Sequence, residues 1–266
     1  MEETSPQFRL SKAKSFSRLL DMHTSSVATS YNKRYAVFDL LVSFSQLCGF
    51  AFVVLSGFLF NTMDHGIGWP QKGNDRGLNF HGILMSTGLI FFQGEALLSY
   101  RMYRSDSKIL SKTIHFVFHL LAISFFTTAF AAIIIQKNVN GWSNFTSVHS
   151  WIGLGLMFVY TIQFLFGFIN FVIPGISDDV RRKFLPIHQI VGSFSFAASI
   201  VQATIGYIQY NSLFKCPDSH DAPLVCDKFQ FIFNFTIVAE VLYGASVLVL
   251  VLVPNWKRYK TQDEMK

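Results

Sequence analysis

Six long apolar segments constrain the fold of this chain more than any other feature of its sequence. They cover approximately residues 37–60, 80–101, 113–135, 149–173, 186–208 and 229–253. Each is long enough to cross a hydrocarbon layer of roughly 30 Å, which takes about 20 helical residues. The segments do not alternate polar and apolar residues as barrel strands do. Because lipid offers no partner to open backbone groups, the sequence predicts an all-α, six-span transmembrane bundle.

The basic residues indicate how this bundle is oriented in the lipid bilayer. With six spans, the polar tails 1–36 and 254–266 lie on the same side. Of the 22 Lys and Arg residues, only five fall in the segments on the opposite side: Lys72, Arg76, Lys137, Lys215 and Lys228. The positive-inside rule therefore predicts that both termini are cytosolic. The formal charge of +6 reflects this asymmetry, and no nucleic-acid partner is expected.

Two cysteines share the last non-cytosolic loop. Cys216 and Cys226 are separated by a short stretch that contains two prolines. On an oxidising side of a membrane they are predicted to form a disulfide, and the alternative is two unpaired thiols.

Four histidines lie near the mouths of four consecutive spans. His81 and His149 begin spans that are entered from the non-cytosolic side, whereas His115 and His188 begin spans that are entered from the cytosol. The sequence therefore predicts two histidine pairs, one near each face and roughly 20 Å apart. Two axial imidazoles are what a six-coordinate haem iron needs. With no open position for oxygen, such an iron suits electron transfer.

Two glycines and a fifth histidine bear on this prediction. Gly153 and Gly192 follow His149 and His188 by four residues, so each lies one turn along the same helix face and could leave room for a porphyrin edge. Glycines are also common in helix packing within membranes. His119 lies one turn deeper than His115 and is the alternative ligand. We choose His115, because its depth is closer to that of His188.

Two other readings of the same residues are open. The histidines could form a proton relay in a haem-free transporter, together with Asp39, Glu95 and Glu240. They could also bind a metal without haem, but two ligands per face are too few for a typical zinc centre.

The sequence resembles the cytochrome b561 family over roughly residues 37–253. The motifs that carry the resemblance are His81-Gly82-Ile83-Leu84-Met85, Gln93-Gly94-Glu95-Ala96-Leu97, Tyr100-Arg101, Lys112-x-x-His115, His149-Ser150-Trp151-x-Gly153 and Pro186-x-His188-x-x-x-Gly192. The resemblance implies a six-helix oxidoreductase in which spans two to five hold two haem b groups. It implies electron transfer from cytosolic ascorbate to monodehydroascorbate or ferric iron across the membrane. The membrane would be endolysosomal, that of a secretory vesicle or the plasma membrane, and a homodimer is left open.

The resemblance also implies substrate sites. Lys108, Lys112 and Arg181 match the family's cytosolic ascorbate site, and a basic rim there would attract the ascorbate monoanion. At the other face many members have a histidine, where this chain has Lys137 followed by Asn138. Lysine would hold an anion but would not coordinate iron, so an anionic acceptor is expected, either monodehydroascorbate or a ferric chelate. Gly82 likewise replaces the family's usual proline.

Overall fold

The computed structural model describes residues 35–63, 65–213 and 222–258, and for residues 222–227 it describes the backbone alone. It contains six long helices: α1 (Tyr35–Thr62), α2 (Arg76–Met102), α3 (Lys108–Val139), α4 (Val148–Val172), α5 (Asp178–Leu213) and α6 (Ala222–Leu252). Each has a segment long and apolar enough to cross a membrane. The predicted all-α, six-span architecture is therefore confirmed. The predicted pairing of Cys216 with Cys226 lies outside the described residues and side chains.

The fifth helix begins earlier than the apolar pattern indicates. Its apolar run starts at Pro186, which predicts a connecting turn over the basic residues 175–185 before it. The helix instead begins at Asp178, so Arg181 is already helical and Pro186 lies inside the helix. Pro186 lies beyond the first turn, so it removes the hydrogen bond that an amide at this position would donate to the carbonyl of Arg182. Arg181 therefore projects from a helix.

Serine caps begin the two helices that follow the loops at 103–107 and 140–147. Ser107 precedes α3 and its hydroxyl accepts a hydrogen bond from the backbone N–H of Leu110. Ser147 precedes α4 and accepts in the same way from Ser150. A serine at this position satisfies one of the open N–H groups of the first turn. His149 therefore lies in a capped first turn.

Helix packing brings the four central spans together. Helix α2 lies along α3, α4 lies along α5, and α6 packs against α5 and α2. Near the middle of the bundle, Leu89, Ala122, Phe126 and Tyr160 form a buried cluster that joins α2, α3 and α4. The helices α2 and α4 each contain a π-helical segment, at Ser86–Phe92 and Phe168–Val172. This arrangement places the beginnings of α2 and α4 at one end of the bundle and those of α3 and α5 at the other.

Candidate functional site

The four predicted histidines form two pairs, and in each pair the ring planes are steeply inclined to one another. The ring centres of His81 and His149 lie 6.4 Å apart, with an angle of 81° between the ring planes. The ring centres of His115 and His188 lie 6.2 Å apart, with an angle of 67°. Each pair joins helices that are next but one in sequence, α2 with α4 and α3 with α5. This is the pairing that topology predicts.

The spacing within each pair suits a single metal ion between the rings. Two imidazoles bound to one ion, each with a metal–nitrogen distance of about 2 Å, place their ring centres roughly 6 Å apart. In the described part of the chain, no group of three or more His, Cys, Asp and Glu side chains could hold a metal ion. Two protein ligands on opposite sides of one ion fit a haem iron, whose other four ligands come from the porphyrin.

The Nδ1 atoms of His81 and His115 are held by backbone carbonyls of neighbouring helices. His81 Nδ1 lies 3.1 Å from the carbonyl oxygen of Ala129, and His115 Nδ1 lies 2.7 Å from that of Ala96. Since a carbonyl only accepts, each Nδ1 carries the proton and each Nε2 keeps its lone pair. A metal-binding histidine usually has this arrangement, in which the second nitrogen donates to an acceptor that fixes the ring.

Two glutamines hold the other two histidines. The distance from Gln202 Nε2 on α5 to His149 Nδ1 is 2.9 Å. The distance from Gln163 Nε2 on α4 to His188 Nδ1 is also 2.9 Å. Sequence analysis did not single out either glutamine. The spacing could have identified them, because each follows its own helix's histidine by the same interval. All four imidazoles therefore have a hydrogen-bond partner at Nδ1, a carbonyl oxygen for His81 and His115 and a glutamine amide for His149 and His188.

A cleft that opens outward lies next to the His81–His149 pair. Its lining includes Ser86 and Tyr207 as well as the two histidines. The ring spacing, the carbonyl partner at His81 Nδ1 and this cleft fit a haem at this pair.

The structure places Lys137 at this cleft and Asn138 beside it. Lys137 lines the cleft, and its ammonium group lies 3.4 Å from the carbonyl oxygen of Ser143. Asn138 does not line the cleft. Its side-chain oxygen accepts a hydrogen bond of 2.8 Å from Asn144, which does. Of the two residues predicted to bind the electron acceptor, Lys137 faces the cleft and Asn138 lies beside it.

The three predicted cytosolic cations converge at the other end of the bundle. Lys112 lies close enough to Lys108 and Arg181 for their charges to repel. The ammonium group of Lys112 donates to the carbonyl of Phe171 at 2.7 Å, and Arg181 donates to the carbonyl of Asn170 at 3.2 Å. These carbonyls lie at the end of α4, where backbone acceptors lack helical partners. Lys112 and Arg181 therefore also cap α4.

His119 has a different environment from the paired histidines. Its ring centre lies 4.4 Å from that of His115, and its Nδ1 lies 2.5 Å from the hydroxyl of buried Tyr160. His115, and not His119, has the ring spacing to His188 that suits a shared iron. This geometry agrees with the choice of His115 as the ligand, which remains a prediction.

The two glycines that follow His149 and His188 contact glutamine side chains. A Cβ atom at Gly153 would lie 2.9 Å from Gln202 Nε2, and one at Gly192 would lie 3.5 Å from Gln163 Nε2. Gly153 also lines the cleft. A side chain at Gly153 would therefore collide with Gln202, whereas one at Gly192 would make an ordinary van der Waals contact with Gln163. The sequence interpretation did not include these glutamine neighbours.

Comparisons with known proteins identify a family. Residues 80–215 match the family described as eukaryotic cytochrome b561. A transmembrane ascorbate-dependent reductase of Pongo abelii is 31% identical over 229 residues, which cover 86% of this chain and 88% of that protein. The human protein of the same description is 30% identical, with 84% and 86% covered. An ascorbate-specific transmembrane electron transporter of Zea mays is 32% identical, with 66% and 73% covered.

Proposed function

The chain belongs to the eukaryotic cytochrome b561 family, and we propose that it carries electrons across a membrane from ascorbate to an acceptor on the other side. The electrons would pass through two haem b groups, one held by His115 and His188 and the other by His81 and His149. Haem b supplies reversible one-electron chemistry when it is bound. The ring spacings of 6.2 Å and 6.4 Å, with every Nδ1 engaged, are the observation on which this proposal depends.

The chain's own residues support each part of this role. His115 and His188 would together hold one haem, and a haem held by two histidines supplies electron transfer rather than oxygen activation. The carbonyl of Ala96 keeps His115 in the tautomer that leaves Nε2 free. The buried cluster of Leu89, Ala122, Phe126 and Tyr160 packs α2, α3 and α4 together with apolar side chains. This packing would hold the two proposed haems at fixed positions in the bundle.

The distribution of charge supports the direction of transfer. Lys108, Lys112 and Arg181 lie together at the His115–His188 end, where they would attract ascorbate, a monoanion at neutral pH. The positive-inside rule puts this end on the cytosolic side. At the opposite end Lys137 faces the cleft and can hold an anion. We therefore propose cytosolic ascorbate as the donor and monodehydroascorbate or a chelated ferric anion as the acceptor.

Two buried carboxyl groups favour a second candidate function, a haem-free proton-coupled transporter. Glu95 accepts hydrogen bonds from Gln46 and Tyr243, each at 2.9 Å, whereas Glu240 is fully buried beside Thr204. Such a carboxyl is the feature that a proton-coupled transporter would use.

A spectrum of the purified protein tests the proposal. We expect the protein in detergent to be red, and we expect ascorbate to produce a reduced b-type haem spectrum that dithionite then completes. Protein that folds into the membrane but stays colourless after haem supplementation during expression would contradict electron transfer and favour the transporter. If dithionite reduces the protein but ascorbate does not, the proposed haems stand and ascorbate is excluded as the electron donor.

A further inference from the structure

Helices α4 and α5 carry the same four residues at the same spacing. In α4 these are His149, Gly153, Gln163 and Gly167, and in α5 they are His188, Gly192, Gln202 and Gly206. Each set reads His-x-x-x-Gly, then nine residues, then Gln-x-x-x-Gly. Because the two helices pack side by side and run in opposite directions, the first half of each set faces the second half of the other. The repeated pattern therefore gives this helix pair a local two-fold arrangement.

The glutamines make the same contacts in both halves of this arrangement. Gln202 Nε2 lies 2.9 Å from His149 Nδ1 and 2.6 Å from the backbone oxygen of His149. Gln163 Nε2 lies 2.9 Å from His188 Nδ1 and 2.6 Å from the backbone oxygen of His188. Each glutamine thus contacts both the ring and the main chain of one histidine, and it does so from the opposite helix.

The glycines make these contacts sterically feasible. A Cβ atom at Gly206 would lie 2.8 Å from His149 Cε1, and one at Gly167 would lie 2.9 Å from His188 Cε1. Contacts this short do not occur between real Cβ atoms and ring carbons. The histidine rings therefore rest directly against the backbone of the opposite helix, so that their position is fixed on one side by glycine and at Nδ1 by glutamine.

An amide differs from a carbonyl in what it can offer to Nδ1. The carbonyls that hold His81 and His115 can only accept. A glutamine can present nitrogen, which donates to the histidine's backbone oxygen, or oxygen, which accepts the Nδ1–H of an iron-binding imidazole. As the structure has it, the amide nitrogen faces both the backbone oxygen and Nδ1 and can donate a hydrogen bond to each. An imidazole that binds iron through Nε2 carries its proton on Nδ1, so the amide has to turn and present its oxygen to that ring. The oxygen of Gln202 is buried and has no hydrogen-bond partner among the described residues.

We propose that Gln163 and Gln202 are positioning residues that set the redox potentials of the two haems separately, Gln163 through His188 and Gln202 through His149. This inference rests on the proposed function. An acceptor on Nδ1–H makes Nε2 a stronger electron donor to iron, which stabilises the ferric state and lowers the potential. Substitution of a glutamine would then change the hydrogen bond at His149 or His188. The hydrogen bonds at His81 and His115 go to backbone carbonyls, which a side-chain substitution does not remove.

Potentiometric titrations of purified, haem-loaded variants test this inference. Gln202→Leu should raise the midpoint potential of the haem at His149 and leave the other unchanged, and Gln163→Leu should do the reverse. Gln→Glu at either position keeps an oxygen acceptor and should shift the same haem in the opposite direction, to lower potential. Variants in which His81 or His115 is replaced assign each potential to its haem. Gln209→Leu is the matched control, because Gln209 also lies on α5 at the cleft.

Opposite shifts from Leu and Glu separate an electronic effect from a packing effect. If both substitutions move the potential in the same direction, or if neither moves it while two haems remain, the inference is wrong and the proposed function is unaffected. If Leu abolishes one haem, the Glu variant decides, because it should retain that haem at lower potential. Loss of the haem in both variants would also overturn the inference. Wild-type protein without haem would instead overturn the proposed function.

Discussion

Replacing His81 or His149 with alanine is expected to reduce the haem content from two per chain to one. The two histidine pairs use different helices and lie at opposite ends of the bundle, so losing one ligand removes a haem from its own site only. The haem at His115 and His188 should stay, with its reduction by ascorbate intact. Pyridine haemochrome analysis against protein concentration measures the ratio. Electron transfer to an acceptor at the far side should stop.

His119→Ala is the matched control for this experiment. His119 is a second histidine on α3, one turn from His115, and its Nδ1 is bound to Tyr160. We expect this variant to keep two haems, whereas His115→Ala keeps only the one at His81 and His149. Loss of both haems in every variant would mean that the sites do not form independently. An unchanged ratio in the His81 and His149 variants would exclude these residues as ligands.

Neutralising the cytosolic cation cluster is expected to weaken the use of ascorbate by more than tenfold. The cluster consists of Lys108, Lys112 and Arg181, and the variant replaces all three with glutamine. Each cation would contribute about 1 kcal/mol to holding an anion, by analogy with hydrogen bonds to charged groups. Since about 1.4 kcal/mol is one decade, the ascorbate concentration for half-maximal reduction should rise by more than tenfold. Reduction kinetics at 25 °C, followed in the haem spectrum, measure it.

The controls separate charge from helix capping. Lys112 and Arg181 also donate to carbonyls at the end of α4, so their loss could disturb this helix. Exchanging Lys and Arg at the three positions keeps all the charges and should retain ascorbate reduction. Neutralising exposed Arg182, which pairs with Asp179, should have little effect. Dithionite should still reduce both haems completely. If the triple variant takes electrons from ascorbate as readily as wild type, the donor enters elsewhere.

Salt provides a second test of the same cluster. Screening acts on exposed charges over about 8 Å at physiological ionic strength. Added salt should therefore slow ascorbate reduction of the wild type more than that of the triple variant. Equal salt dependence in both proteins would indicate that these cations serve only membrane orientation.

The apolar runs predicted the six helices because hydrocarbon thickness sets helix length and lipid excludes open backbone groups. They could not predict where helices extend into water, since polar residues are then allowed. The error at α5 is an example. Asp178 and Asp179 occupy its first turn, where acidic side chains favour a helix start, but this signal is weaker than the apolar run that begins at Pro186.

The histidines of the candidate site were predictable because an ionisable or metal-binding side chain in a membrane segment needs a reason. Glutamine carries no charge, so Gln163 and Gln202 give no comparable signal by residue type. Their only sequence signal is the spacing from the histidine, which is the same in α4 and α5. The interpretation of Gly153 as space for a porphyrin edge considered only the helix that contains this glycine. Its closest neighbour is a side chain of the opposite helix, Gln202.

Some features of the site do not depend on side-chain chemistry. His81 and His115 are held by the backbone oxygens of Ala129 and Ala96, and any residue type supplies the same carbonyl. Which carbonyl faces which ring depends on the rotation of one helix against another, set by packing over the whole bundle. A single sequence does not reveal this rotation, so these contacts required the structure.

Electron transfer across sealed vesicles tests the central claim most directly. Purified protein with two haems would be reconstituted into liposomes that contain ascorbate, with ferricyanide, an impermeant anion, outside. Ascorbate oxidase outside removes any donor that leaks. We predict that wild-type vesicles reduce external ferricyanide well above protein-free vesicles, and that His81→Ala and His188→Ala vesicles stay near that background. Wild-type vesicles with both haems that reduce ferricyanide no faster than protein-free vesicles would contradict transmembrane electron transfer by this protein.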